Sequence, residues 1–368
     1  RVELDKLINH KLEHLLKWSL ETVPFYANYF ETHNINSFDK FDYKKHLKLL
    51  PIINKSTIIE NPDQFTTSEL KKLKIKRAWT SGSSGKQLGF IKDSNTIGWA
   101  WASMYRHYNW AGVKMGEKEV LLWGRFDKNA KPGFKNKVSE KIKRRIKLNA
   151  YLMSEEKMSE YAKFIAKYKP SVLRGYASAL YSFANYCKNN GVYFPSLKAI
   201  SSTSDQLTDN MKSFIQDVFG IKVYNQYACG EVLGGAYECD QGEGLHIIEE
   251  HNLIEVDAPE GEVGDIVVTD LDNYAMPFLR YKNGDRGIID SQACSCGRVH
   301  RRIKKVVGRT EEFITTDDNR ILNTTFFSPF FSKFNEVSQF QIIQKELKQF
   351  EILITININD DAYKTTLE

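Results

Sequence analysis

Residues 80–89 read TSGSSGKQLG, with four hydroxyl side chains and three glycines around a single lysine, Lys86. Glycines let a backbone come close to a ligand. Free N–H groups and hydroxyls donate to phosphate oxygens, and a lysine neutralises them. The chemistry on offer is a phosphate cradle. It is not a Walker A loop, which needs glycine first and Ser or Thr directly after the lysine; here Thr80 and Gln87 hold those places. A flexible linker is the alternative reading, although linkers seldom stand between apolar runs such as RAW and LGFI.

A second constellation involves sulfur. Cys239 and His246 lie in ECDQGEGLH, and Cys294 and Cys296 lie in CSCGR, with Cys294 48 positions after His246. Three thiolates and one imidazole suit a closed tetrahedral zinc site, and a cytosolic chain does not usually keep disulfides. The spacing is not that of a standard finger, unrelated free cysteines are the alternative, and His300 is a weaker rival for His246. Cys187 reads as a core residue of a helix. Cys229 is a small space-filler without a catalytic role.

The elements that must carry these groups follow from periodicity. SNTIGWAWASMYRHYNWAGV is helical, with an aromatic face. KEVLLWG, SVLRGY, LKAISSTSD and IKVYNQYA read as strands, separated by the helices SEEKMSEYAKFIAKYKP, ASALYSFANYCKNNG and DNMKSFIQDVFG. This alternation from about 95 to 230 predicts an α/β layered fold with a largely parallel sheet. After Gly230 come short alternating strands with glycine-rich turns, a smaller antiparallel β region. FQIIQKELKQFEILITIN predicts a hairpin in a small C-terminal unit.

The chain has 368 residues and a net charge of +6. No apolar run approaches the ~18 residues that span a bilayer, so the protein is not expected to be integral to a membrane. The opening residues form a charged amphipathic helix rather than a signal peptide, and a cytoplasmic protein is expected. Its start at Arg1 fits an N-terminal trim. From Lys128 to Lys147 nine residues are basic and only Glu140 is acidic. They read as a solvated helix face with its preceding loop, or as a docking patch for phosphates. No nucleic-acid-binding motif is present.

Four ordered stretches carry a resemblance: TSGSSGK (80–86), YNQYACGE (224–231), YKNGD (281–285) and GRTEE (308–312). Together they resemble the core motifs of the adenylate-forming superfamily. VPFYANYF, LPIINKS, AMPFLRYKNGD and ECDQGEGLHIIEE are similar to its phenylacetate–CoA ligase-like branch. LLWG, VLRGYASAL and TTDDNR are similar to the capsular-polysaccharide-biosynthesis (CapK-like) subgroup. The likeness covers nearly the whole chain.

The resemblance implies a large N-terminal adenylate-forming domain over 1–310, with a β-rich zinc-bearing part at about 231–307. A small, truncated α+β C-terminal domain would occupy 311–368. It implies an ATP-dependent, AMP-forming ligase that activates a small carboxylic acid as an acyl-adenylate. The acyl group would pass to CoA, a carrier-protein thiol or a sugar acceptor. The alternative is a catalytically impaired nucleotide-binding or scaffold protein of a polysaccharide-assembly pathway. Thr80, Ser81, Gly82, Ser83, Ser84, Gly85 and Lys86 would hold the phosphates. Glu231 would ligate Mg²⁺, Tyr227 would stack on adenine, and Asp285 would accept the ribose hydroxyls. Arg309 would reach the ribose or phosphate, and Glu311 would be the hinge. Cys239, His246, Cys294 and Cys296 match a zinc set found in some relatives. Taken singly, Asp285 reads as a turn residue, Glu231 as a helix-start carboxylate and Arg309 as a surface arginine.

The chain departs from the family pattern at Ala228, usually glycine, and at Gly230, usually a Ser or Thr that meets the α-phosphate. TSD (203–205) stands where a Gly-Glu pair is common. Only 57 residues follow Glu311, and none of Lys345, Lys348 or Lys364 sits in the motif of the family's C-terminal catalytic lysine. Trp99, Trp101, Tyr105, Trp123, Tyr176 and Ala177 lie on the elements expected to face the acyl group.

Overall fold

The computed structural model describes residues 1–35, 41–80, 87–124, 142–150, 153–309, 313–315, 321–323, 334 and 337–356. The chain divides into two compact units, Arg1–Val307 and Gly308–Glu368.

The first unit opens with helix α1 (Val2–Thr22), whose buried residues Leu4, Ile8, Leu12, Leu15, Leu16 and Ser19 recur every three or four positions along one face. Val23 ends it, and Pro24 begins α2 (Pro24–Thr32), where a missing N–H costs nothing. The short helix α3 (Tyr43–His46), strand β1 (Ile53–Asn54) and helix α4 (Lys55–Glu60) follow. Strands β2 (Ile75–Trp79) and β3 (Gly89–Asp93) then pair antiparallel, with Trp79 opposite Gly89. The described strands on either side of residues 81–86 are therefore paired, which the sequence did not point to. The Asp93 carboxylate caps α5 (Ser94–Trp110) by accepting from the Asn95 and Thr96 backbone N–H groups.

The next part alternates as its periodicity predicts. Strands β4 (Glu119–Trp123), β5 (Arg145–Asn149), β6 (Val172–Tyr176), β7 (Ala199–Thr203) and β8 (Val223–Tyr227) lie in the order β5-β4-β6-β7-β8, all parallel. Helices α6 (Glu155–Tyr168), α7 (Ala177–Asn189) and α8 (Asp209–Phe219) are the crossovers. Their residues Ile165, Phe183 and Ile215 pack with Val120, Leu173, Ile200 and Val223 of the sheet. Met104 and Tyr108 of α5 pack with Val172, Ala199 and Tyr224. These strand residues alternate with the first set, so α5 covers the opposite face. A parallel sheet covered on both sides explains why β4 to β8 read as near-continuous apolar runs. In the basic stretch, residues 145–149 form edge strand β5 rather than a helix face, and 128–141 lie outside the described residues.

The β-rich region is not a separate sheet. Strands β9 (Ala236–Glu238), β10 (Leu245–Ile247), β11 (Asn252–Asp257), β12 (Gly264–Asp270), β13 (Tyr281–Asp290) and β14 (Arg302–Arg309) continue the same sheet beyond β8, through the antiparallel β8–β9 pair. A glycine makes that junction possible. Gly235 has φ +99°, and a Cβ there would lie 2.2 Å from the Tyr227 carbonyl oxygen. The largest core joins α1 and α2 to this region, through Leu12, Tyr26 and Phe30 with Ile254, Phe278 and Tyr281.

Among its described residues the second unit has two antiparallel strand pairs: β15 (Phe313–Thr315) with β16 (Ile321–Asn323), and β17 (Val337–Glu346) with β18 (Gln349–Ile356). The latter is the hairpin expected from FQIIQKELKQFEILITIN.

Candidate active site

Strands β4, β6, β7 and β8 end side by side at Trp123, Tyr176, Thr203 and Tyr227. In α/β sheets ligands bind outside such carboxyl ends, and the ACGE motif, residues 228–231, follows directly on Tyr227. The buried Tyr227 donates its hydroxyl to Asp285 Oδ2 at 2.8 Å. The Asn283 amide donates to the same oxygen at 3.1 Å and to the Tyr227 oxygen at 2.6 Å. Gly284, at φ +88°, lets the strand turn so that the Asp285 N–H also reaches Asn283 Oδ1 at 3.0 Å. Burial, reinforced by the Asp285 charge, raises the Tyr227 phenol well above its ordinary value, so it remains a donor.

Tyr281, at the start of the same strand, donates to Glu231 Oε1 at 2.9 Å. Glu231 is buried, and the Tyr281 ring meets Phe278 edge-on at 5.0 Å. Three expected residues, Tyr227, Glu231 and Asp285, thus converge through two hydrogen-bonded pairs. Asn283 and Tyr281 belong to the same motif and had no role assigned; their position two and four residues before Asp285 on one strand was the available signal. Lys92 was also missed. Its ammonium is buried and donates to the Gly230 carbonyl. Burial pushes the Cys229 thiol up to about 12, which keeps it protonated and fits its reading as a space-filler.

The other expected residues are placed less centrally or not described. Thr80 closes the base of its loop: its hydroxyl accepts the Leu88 N–H at 2.9 Å and its N–H reaches the Leu88 carbonyl at 3.0 Å. Ser81, Gly82, Ser83, Ser84, Gly85, Lys86 and Glu311, and the side chain of Arg309, lie outside the described residues. Among the aromatics, Trp123 and Tyr176 pair at 5.0 Å at the strand ends, and the Gly124 N–H donates to the Tyr176 hydroxyl. Trp99 instead stacks on His251 beneath the Lys11 ammonium. Trp101 lies under Lys143 and Arg145.

The cysteine constellation assembles around β9 and β10, the strands that follow β8 in the same sheet. Cys239 follows β9, His246 lies in β10, and Cys294 and Cys296 occupy the turn before β14. Their four ligand atoms all lie within 4.8 Å of one another. Cys239 Sγ is 3.8 Å from Cys294 Sγ, and Cys296 Sγ is 3.4 Å from His246 Nε2. Zinc–sulfur bonds of about 2.3 Å at a tetrahedral angle put two sulfurs about 3.8 Å apart, so the donor set fits the ion. The Gln241 N–H donates to Cys239 Sγ at 3.4 Å. Burial, then neighbouring positive charge including Arg298 and Arg302, lowers His246 to about 4, which leaves a neutral imidazole. His300 places Nε2 3.1 Å from Glu250 instead.

No family model matches the chain. It is 26% identical over 371 aligned positions to protein CapK of Staphylococcus aureus, covering 99% of this chain and 81% of that protein. It is 24% identical over 331 positions to a phenylacetate-coenzyme A ligase of Pseudomonas putida, covering 84% of this chain and 72% of the relative. A solved structure of 2-hydroxyisobutyryl-CoA ligase in its postadenylation state aligns with a TM-score of 0.74 at 15% identity, over 100% of this chain and 80% of that one; it bears on the fold. The fold is that of the adenylate-forming enzymes, and in sequence the chain is similar to CapK and to the phenylacetate–coenzyme A ligases.

Proposed function

We propose that this protein uses ATP to activate a small carboxylic acid and passes the acyl group to coenzyme A. Its class, an AMP-forming acid ligase, follows from its relatives. The observation that carries the residue-level reading is the Tyr227–Asn283–Asp285 cluster, set beside Glu231 at the carboxyl ends of the parallel strands.

Two balanced steps define the reaction. An oxygen of the acid attacks the α-phosphorus of ATP; the bond to the bridging α–β oxygen breaks, and pyrophosphate leaves with the electron pair. The coenzyme A sulfur then attacks the acyl carbon; the bond to the AMP phosphate oxygen breaks, and the thiol proton passes to solvent. Anion meets anion in the first step, so catalysis is largely electrostatic.

In this reading Asp285 accepts the ribose hydroxyls, a carboxylate fixed beforehand by Tyr227 and Asn283. The Tyr227 ring supports the adenine. Glu231, oriented by Tyr281, would hold Mg²⁺, a hard ion that takes carboxylate and phosphate oxygens and would neutralise the phosphates. Residues 80–86 would grip the β- and γ-phosphates, and Arg309 and Lys86 would supply positive charge. Trp123 and Tyr176 form an aromatic wall for the acyl group. Cys239, His246, Cys294 and Cys296 would hold a structural zinc that staples β9 and β10 to the turn before β14. A cytoplasmic setting fits; among the described residues no helix is long and apolar enough to cross a membrane. A carrier thiol or a sugar acceptor could replace coenzyme A in the second step.

Gly230 and Ala228 favour a second reading, a nucleotide-binding scaffold without turnover, because the hydroxyl expected at 230 is missing. Pyrophosphate release with a panel of carboxylic acids separates the two. Thermal stabilisation by magnesium and ATP without release for any acid would support the scaffold.

A further inference from the structure

Lys92 is a lysine where the sheet has no ordinary use for one. It lies on β3 with only 6% of its surface exposed, and lysines are almost never so buried unless paired. Phe90, two residues earlier, lies 4.8 Å below the ammonium and meets Phe278 at 6.4 Å. Phe278 in turn packs on Tyr281, the partner of Glu231. This face of the hairpin therefore turns toward the Glu231 carboxylate. The hairpin is also the stalk of the small-residue loop, which Thr80 and Leu88 close at its base.

The Lys92 ammonium donates to the carbonyl oxygen of Gly230, and that carbonyl belongs to the peptide bond leading into Glu231. A Cβ built at Gly230 would meet nothing within 4 Å, so no side-chain packing restrains the turn there, and glycine is the residue least restrained by itself. The contacts that hold the turn from outside include Lys92 on the Gly230 carbonyl and Tyr281 on the Glu231 carboxylate. Burial lowers the ammonium to about 8, against the pull of nearby Asp270 and Glu231, so it keeps its charge at neutral pH.

We propose that Lys92 is a positioning residue of the adenylation step: it ties the stalk of the 80–88 loop to the Gly230 carbonyl and so sets the Glu231 carboxylate where a magnesium–triphosphate docks. This rests on the adenylation reading above.

The test is calorimetric titration of the whole chain with ATP, in magnesium-containing and in magnesium-free buffer. Lys92→Met is expected to weaken binding of magnesium–ATP by about tenfold or more, the scale of a lost charge-assisted hydrogen bond. Binding without magnesium should change less than about twofold. Lys92→Arg, which keeps charge and donors, should recover most of the loss. Unchanged magnesium–ATP affinity in Lys92→Met overturns the proposal. So does an equal loss with and without magnesium, which is what a merely structural role would give. Should Lys92→Met fail to fold, judged by its melting temperature, Lys92→Gln carries the same comparison with the same readings. No acid is needed here. Wild-type protein that binds magnesium–ATP but exchanges pyrophosphate with no acid would refute the ligase reading and leave the Lys92 comparison intact. Wild-type protein that binds no nucleotide overturns both.

Discussion

Asp285 takes hydrogen bonds from Tyr227 and Asn283 at one oxygen, an arrangement that fixes the carboxylate before any ligand arrives. A hydrogen bond to a charged group contributes about 1.5–3 kcal/mol, or roughly 10- to 100-fold in affinity. Asp285→Asn should therefore raise the KM for ATP by about that factor with little change in the KM for the acid, read in pyrophosphate-release kinetics. Tyr227→Phe keeps the ring and loses the hydroxyl. It should cost about tenfold or less, and a loss as large as that of Asp285→Asn would mean the hydroxyl itself serves the reaction. At this scale the sequence was informative where four ordered motifs supported one another. It was silent on Lys92, because a lysine among apolar strand residues is not told apart from a surface one until its partner, 138 residues away, is placed.

The elements hold these residues through a few buried polar ties. Lys11 of α1 bonds Asp272 at 2.7 Å and the Glu250 carbonyl at 2.6 Å, and His251 shares that carboxylate at 2.8 Å. Removing one partner of a buried pair costs about 3–5 kcal/mol, so Lys11→Met should lower the urea midpoint clearly without changing zinc content. Glu250 supplies a pH signature. Burial alone would raise its carboxyl, but the His300 hydrogen bond and charge, with Arg106, hold it at about 2. Its folded value lies below its unfolded one, so this contribution is present above about pH 4.5 and fades as pH falls toward 2. Glu250→Gln should narrow its stability difference from wild type over that interval, measured by denaturant midpoint. If Cys239, His246, Cys294 and Cys296 hold zinc as proposed, Cys294→Ser should abolish near-stoichiometric zinc and lower the melting temperature by more than about 5 °C; unchanged metal content would refute the zinc proposal. The parallel strands and their crossover helices were legible because strand and helix periods alternate cleanly from about 95 to 230. Edge strand β5 was not, since Arg145 and Lys147 of RIKLN, at the end of a basic stretch, look like part of a solvated helix face until the edge is known. The β2–β3 hairpin was hidden because its mostly exposed first strand, IKRAW, lacks the alternation of a half-buried one.

In the first unit one continuous sheet carries the Tyr227–Asn283–Asp285 cluster at the strand ends and the cysteine cluster around β9 and β10, next to β8. Sequence texture suggested a separate β region after Gly230, because the antiparallel strands regain turn signals that the buried parallel strands lack. The join between them rests on Gly235 lying against Tyr227, a contact that no local pattern announces. The proposed function requires that this unit, in its whole chain, makes an acyl-adenylate. The direct measurement is exchange of labelled pyrophosphate into ATP with a panel of aromatic and short aliphatic carboxylic acids, in magnesium. The account predicts exchange that depends on one class of acid and on magnesium, and that falls by about tenfold or more in Asp285→Asn. Absence of acid-dependent exchange across the panel, from a protein that is folded and binds magnesium–ATP, would contradict it.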